Sequence, residues 1–240
     1  MGMAADLPWT PRAHPWLHEP LAVLDLVWAV PNLVRIRPRP QHERATVVVL
    51  PGLYTSDRST AVLRAGLARA GHMVHPWGLG SNHGRLDRLV PAVAARLERV
   101  GRAVLVGWSF GGVIAREVAR RHPDRVVAVV TLGTPVVGGA TYTVFAASYR
   151  RRGVDLGVLE RRAAAREREP IPMSVTAIYT RGDGVVAAAA SVDPYNSHVD
   201  HVEVGGSHIG LVLRPEALER VEAAVAAATR GDGGRDPASG

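Results

Sequence analysis

Three residues whose types together can activate an alcohol oxygen occur in the order Ser109, Asp183, His208. Ser109 stands in GWSFGG (107–112), directly after the apolar run AVLV. Chance supplies a G-x-S-x-G about one time in ten in a chain with this much serine and glycine, so the setting decides. Here an apolar strand pattern ends at Gly107 and a helical pattern begins at Phe110. A sharp strand-to-helix turn would lift the serine out of the fold and strain its dihedrals. Gly107 and Gly111 remove the side chains that would clash there, and Gly112 would ease helix–strand packing. A serine hydroxyl is a weak nucleophile without a base. Of ten histidines, His208 in VGGSHIGLV follows the last strand pattern, lies in a glycine-flanked loop and precedes the final helix pattern. His72, His75 and His122 read as helix-end or strand-edge residues. The base needs a carboxylate to hold its tautomer. Asp183 in YTRGDGVV directly follows a strand pattern, where parallel sheets build their sites. Asp193 and Asp200 are the fallbacks.

Acyl transfer also needs donors for a developing oxyanion. The N–H of Phe110, next to the serine, supplies one. The loop VLPGLYTSD supplies the other through Leu53, because Gly52 lets the chain turn and Pro51 has no N–H. Tyr54, Trp77 and Trp108 are the candidate substrate contacts. Trp77 and the following GLGSNHG read equally as pocket wall or as a tight structural turn. That loop is not a nucleotide loop, since its glycines follow the second core strand with the wrong spacing. His198 and His201 have H-x-x-H spacing, but on an extended chain an offset of three points them to opposite faces. No metal or cofactor is expected.

The elements that must position these residues alternate. Short apolar runs TVVVL (46–50), MVHPW (73–77), AVLVG (103–107), RVVAVVTL (125–132) and SVTAIYT (174–180) read as strands, with HVEV (201–204) a sixth. Between them lie helical stripes: Val62, Leu63, Gly66, Leu67 and Ala70; Leu86, Leu89, Val90, Val93 and Leu97; then 110–122. A last helix covers 215–229. The alternation implies an α/β fold with a mostly parallel sheet and helices on both faces. Residues 135–170 break the rhythm, a partly helical insertion expected over one edge of the sheet as a small cap. Residues 1–45, Trp-rich and with a helix pattern inside 19–34, are expected to pack on the core formed by 46–230. Residues 231–240 read as a disordered tail.

Composition excludes several classes. At 240 residues one domain is expected, with ample length to bury a core. The chain has no cysteine, hence no disulfide, thiolate metal site or cysteine nucleophile. All 29 basic residues are arginine, which excludes lysine chemistry. The +7 charge raises nucleic-acid binding. The arginines are scattered, however, and the densest run, RRRGVDLGVLERRAAARERE (150–169), is interleaved with acids and reads as a solvated helical face. No apolar stretch is long enough for a membrane span, and no secretory pattern is evident at the start. A cytoplasmic location is the expectation. Lipid contact by the Trp-rich start, and the oligomeric state, stay open.

Taken together, VLPGLYTSDRST, HPWGLGSNHG, VGWSFGG, TLGTP, YTRGDGVV and GGSHIGLV resemble, in order, the α/β-hydrolase fold serine hydrolases, specifically the bacterial lipase/esterase-like branch. The resemblance covers most of 45–225. It implies hydrolysis of carboxylic esters through an acyl-enzyme, with Ser109, Asp183 and His208 as the triad and Leu53 and Phe110 as oxyanion donors. The sequence departs from the pattern where VVGG follows TLGTP and where only LVRIR (33–37) could supply a leading antiparallel strand. A small-molecule acyl ester is the expected partner, with no nucleic acid. An acyl thioesterase or acyltransferase, with the arginine-rich cap facing an anionic carrier, is the alternative on the same fold. A non-catalytic hydrolase-fold binder is the alternative from another class.

Overall fold

A computed structural model describes Pro40 and residues 44–232 of the chain. The N-terminal segment, its helix and strand patterns, and residues 233–240 of the tail lie outside the described residues.

Six parallel strands form one sheet among the described residues: β1 (Thr46–Leu50), β2 (Met73–Pro76), β3 (Ala103–Trp108), β4 (Val126–Leu132), β5 (Val175–Tyr179) and β6 (Val199–Glu203), in the spatial order β2-β1-β3-β4-β5-β6. The central strands are apolar along their whole length because helices cover both faces. On one face Val47, Val49, Val104, Val106, Val130 and Leu132 pack against α1 (Ala61–Arg69), α6 (Gly210–Leu213) and α7 (Pro215–Asp232). On the other, Val48, Leu50, Leu105 and Val129 pack against α2 (Leu86–Val100) and α3 (Phe110–Arg121). Alternate residues therefore serve opposite cores, as the two-residue strand period requires.

The sixth strand runs Val199–Glu203, two residues earlier at its start than its apolar pattern indicates. It is an edge strand whose Asp200, His201 and Glu203 are exposed, and charge on an edge opposes pairing with another chain. Register brings the strand ends level: Leu50 pairs with Gly107, Gly107 with Thr131 and Leu132 with Ile178. The loops after β1, β3, β4 and β5 thus emerge side by side.

The insertion between β4 and β5 holds two helices, α4 (Ala146–Arg151) and α5 (Leu156–Glu167). The Asp155 carboxylate starts α5 by accepting from the N–H groups of Gly157 and Val158. Residues of this insertion share one cavity with Ser109, so it lies above the strand ends, not over a sheet edge.

Its charge run is not a solvated face throughout either. Glu167 is buried, and accepts from Arg116 Nε at 3.0 Å and Nη2 at 2.7 Å, and from Arg120 Nη2. Arg116 also reaches Asp193 Oδ2 at 2.7 Å, with neither side chain exposed. This ionic cluster joins α3, α5 and the loop after β5. Arg161 and Arg168 remain exposed, as the charge pattern indicates. Among the described residues no helix is long and apolar enough to cross a membrane.

Candidate active site

Ser109 closes β3 and opens α3 with φ 55° and ψ −124°. Left-handed backbone is unfavourable for a residue with a Cβ and persists only where the surroundings over-determine it. They do so here. The Ser109 N–H donates to Leu132 O at 2.7 Å, and Thr134 Oγ1 donates to Ser109 O at 3.0 Å. A Cβ at Gly107 would collide with the backbone of Gly111 and Gly112, and one at Gly111 with the Leu50 carbonyl. The helix can therefore start against β3 and β1 only with those side chains missing.

Asp183, four residues past β5, and His208, past β6, meet each other. His208 Nδ1 lies 2.7 Å from Asp183 Oδ2, with the side chains 4% and 1% exposed. Asp183 Oδ1 accepts from the N–H groups of Val185 and Val186 at 2.8 and 2.7 Å. A carboxylate only accepts, so Nδ1 carries the proton and Nε2 is left as the basic nitrogen. Neither fallback carboxylate takes this place. Asp193 is bound to Arg116 and Asn196, and Asp200 is exposed on β6. Burial pushes the Asp193 carboxyl up, but Arg116, the Tyr195 N–H and Asn196 outweigh it and hold the group below its ordinary value. His201 Nε2 accepts from the Asp193 N–H, a structural role.

Leu53, Ser109 and Phe110 line one cavity of about 330 Å³, continued by Leu86, Val113, Pro135, Phe145, Leu159 and Val186. Among the described residues neither the Leu53 nor the Phe110 N–H donates a hydrogen bond to another backbone group. The loop carrying Leu53 is shaped by Tyr54 at φ 59°.

Of the aromatic candidates, Tyr54 is 56% exposed and meets Phe145 edge-on with centroids 6.2 Å apart, at the side of the cavity. The two tryptophans are placed elsewhere than as cavity wall. Trp77 is fully buried in the α2/α3 core; its Nε1 donates to Gly80 O, and the Trp77 and Gly78 N–H groups bind the two oxygens of Asp57. It makes a tight structural turn. Trp108 backs the histidine. Its Nε1 donates to His208 O at 3.1 Å and its ring lies 5.3 Å from the imidazole.

Two positioning residues carry weak sequence signals. Asn82, fully buried, donates from Nδ2 to Pro51 O, while its backbone exchanges hydrogen bonds with Tyr54 and Thr55. It pins the Leu53 loop from GLGSNHG. Gly133 in TLGTP has φ 54°, and a Cβ there would sit 2.9 Å from both Asp183 Oδ2 and His208 Nδ1.

A family profile described as the alpha/beta hydrolase fold matches residues 97–215. The chain has the α/β-hydrolase fold. Solved structures with this fold agree over most of its length: a bacterial membrane phospholipase A (TM-score 0.61, 16% identity, 90% of this chain and 94% of that one) and a monoacylglycerol lipase from Paleococcus ferrophilus (0.57, 16%, 81% and 96%). At such identities the likeness is one of fold. Curated relatives of this α/β-hydrolase-fold chain include the biotin biosynthesis bifunctional protein BioHC of Teredinibacter turnerae, 33% identical over 113 residues (43% of this chain, 20% of that protein). Another is the pimeloyl-[acyl-carrier protein] methyl ester esterase of Klebsiella pneumoniae, 38% identical over 65 residues (26% and 25%). The match thus spans a quarter or less of either relative.

Proposed function

We propose that this chain hydrolyses carboxylic esters through an acyl-enzyme on Ser109. The reading is supported by the His208–Asp183 pair at 2.7 Å and by a strained serine whose cavity is also lined by Leu53 and Phe110, neither of whose N–H groups has a backbone acceptor among the described residues. His208 Nε2 takes the Ser109 proton as Oγ bonds to the ester carbonyl carbon. Negative charge develops on the carbonyl oxygen and is met by the N–H groups of Leu53 and Phe110. Collapse breaks the bond to the alkoxy oxygen, which leaves as the alcohol with the proton from His208. Water, deprotonated by the same nitrogen, then releases the acid and restores Ser109. Asp183 holds the imidazole in the required tautomer and offsets its charge while it is protonated. The largely apolar cavity suits an acyl chain, and the methyl ester esterase among the relatives supports an ester as substrate.

A fluorophosphonate probe tests the nucleophile: wild type should be labelled and Ser109→Ala should not. Equal labelling of both ends the assignment. Asp183→Asn should lower turnover of a 4-nitrophenyl ester by about 10³–10⁴, as a mispaired histidine does in other triads.

A further inference from the structure

The cavity beside Ser109 is not apolar throughout. Leu159, Arg162, Ala163 and Arg166 all line it, the single face of α5 that i, i+3, i+4 and i+7 share. The two arginines differ. Arg166 Nε lies 3.7 Å from Glu117 Oε2 and 3.6 Å from Glu167 Oε1, so carboxylates of the buried cluster match its charge. Arg162, one turn earlier and exposed, has no carboxylate within salt-bridge distance among the described residues. Two acids of α5 and its start are spent elsewhere: Asp155 caps the helix, and Glu167 holds Arg116 and Arg120. The cavity thus has a nucleophile and an apolar lining with an unmatched guanidinium at its wall.

We propose that Arg162 is a specificity-determining residue that selects substrates carrying an anionic group remote from the scissile carbonyl. This rests on the ester-hydrolase reading and narrows its substrate class. A guanidinium offers paired donors that fit a carboxylate or a phosphate and is less strongly hydrated than an ammonium. Because Arg162 is exposed, solvent screens the contact. The preference is therefore a fewfold effect, eroded by salt.

The test uses matched ligands on Ser109→Ala, titrated by ligand-observed NMR so that no turnover is needed. Monomethyl adipate is set against methyl hexanoate, and hexanoyl-coenzyme A against its N-acetylcysteamine thioester. The anionic member of at least one pair should bind about fivefold tighter or more. Adding Arg162→Gln should abolish that advantage, while Arg168→Gln, which removes the same charge from an exposed position off the cavity, should keep it. Preference in the first pair places the anion on the acyl chain, and in the second on the carrier. No preference in either pair, or one that survives Arg162→Gln, overturns the proposal. An anion preference in a wild type that the fluorophosphonate never labels defeats the hydrolase reading alone; normal labelling without preference defeats this one alone.

Discussion

Glu167→Gln is the most informative single perturbation of the fold's electrostatics. The side chain is 1% exposed and accepts from both Arg116 and Arg120. Glutamine keeps its shape and one acceptor oxygen but removes the charge. Arg116 then faces only Asp193, and Arg120 only Glu117 at 3.6 Å. Removing one partner of a buried ion pair costs about 3–5 kcal/mol. The remaining carboxylates favour the lower end, roughly 3 kcal/mol. In a chain of this size each kcal/mol lowers Tm by about 2–4 °C, so a fall of roughly 6–12 °C is expected in calorimetry. Glu167→Gln combined with Arg116→Gln should be less than additive by about 1 kcal/mol or more in urea unfolding. The same cluster gives an acid limb. Asp193 titrates below its ordinary 3.8 in the folded chain, so its contribution is complete above that value and is lost as pH falls through the lower folded one. Asp193→Asn should flatten stability against pH in that window. A Tm within 2 °C of wild type for Glu167→Gln, or strict additivity, would refute the view that this cluster ties the cap to α3.

Two further substitutions test how the site is held. Gly133→Ala should leave a folded protein with most of the proposed ester hydrolysis lost, because the new Cβ meets both members of the Asp183–His208 pair; an active, folded variant would show that the pair tolerates displacement. Asn82→Ala should lower kcat for the proposed hydrolysis about tenfold or more with a smaller change in KM, since the proposed Leu53 donor loses the support of its loop where charge develops in the transition state. An effect confined to KM or to stability would assign Asn82 a purely structural role.

The sheet was readable in sequence where burial on both faces makes a strand continuously apolar: β1, β3 and β4 lie within a residue of their patterns. The edge strand β6 is two residues off at its start because VDHVE, open to solvent, has no such run. Ser109 was readable because the elbow's crowding is local, and glycines must appear at fixed offsets from the serine. Trp77 was not. An aromatic before a glycine-rich loop looks alike as pocket wall or core, and what decides is Asp57, twenty residues away, capturing its N–H.

The order of strands and helices, the strained serine and the absence of lysine and cysteine chemistry are properties of short segments and of composition, and the sequence alone determined them. Which of Asp183 and Asp193 meets His208, and which arginines of one charge run are buried, were decided only by the tertiary structure. Both aspartates follow the same strand, and helical periodicity shows which residues share a face but not what lies opposite. Only the packing of α3 against α5, and of the loops after β5 and β6 against each other, supplies the partners.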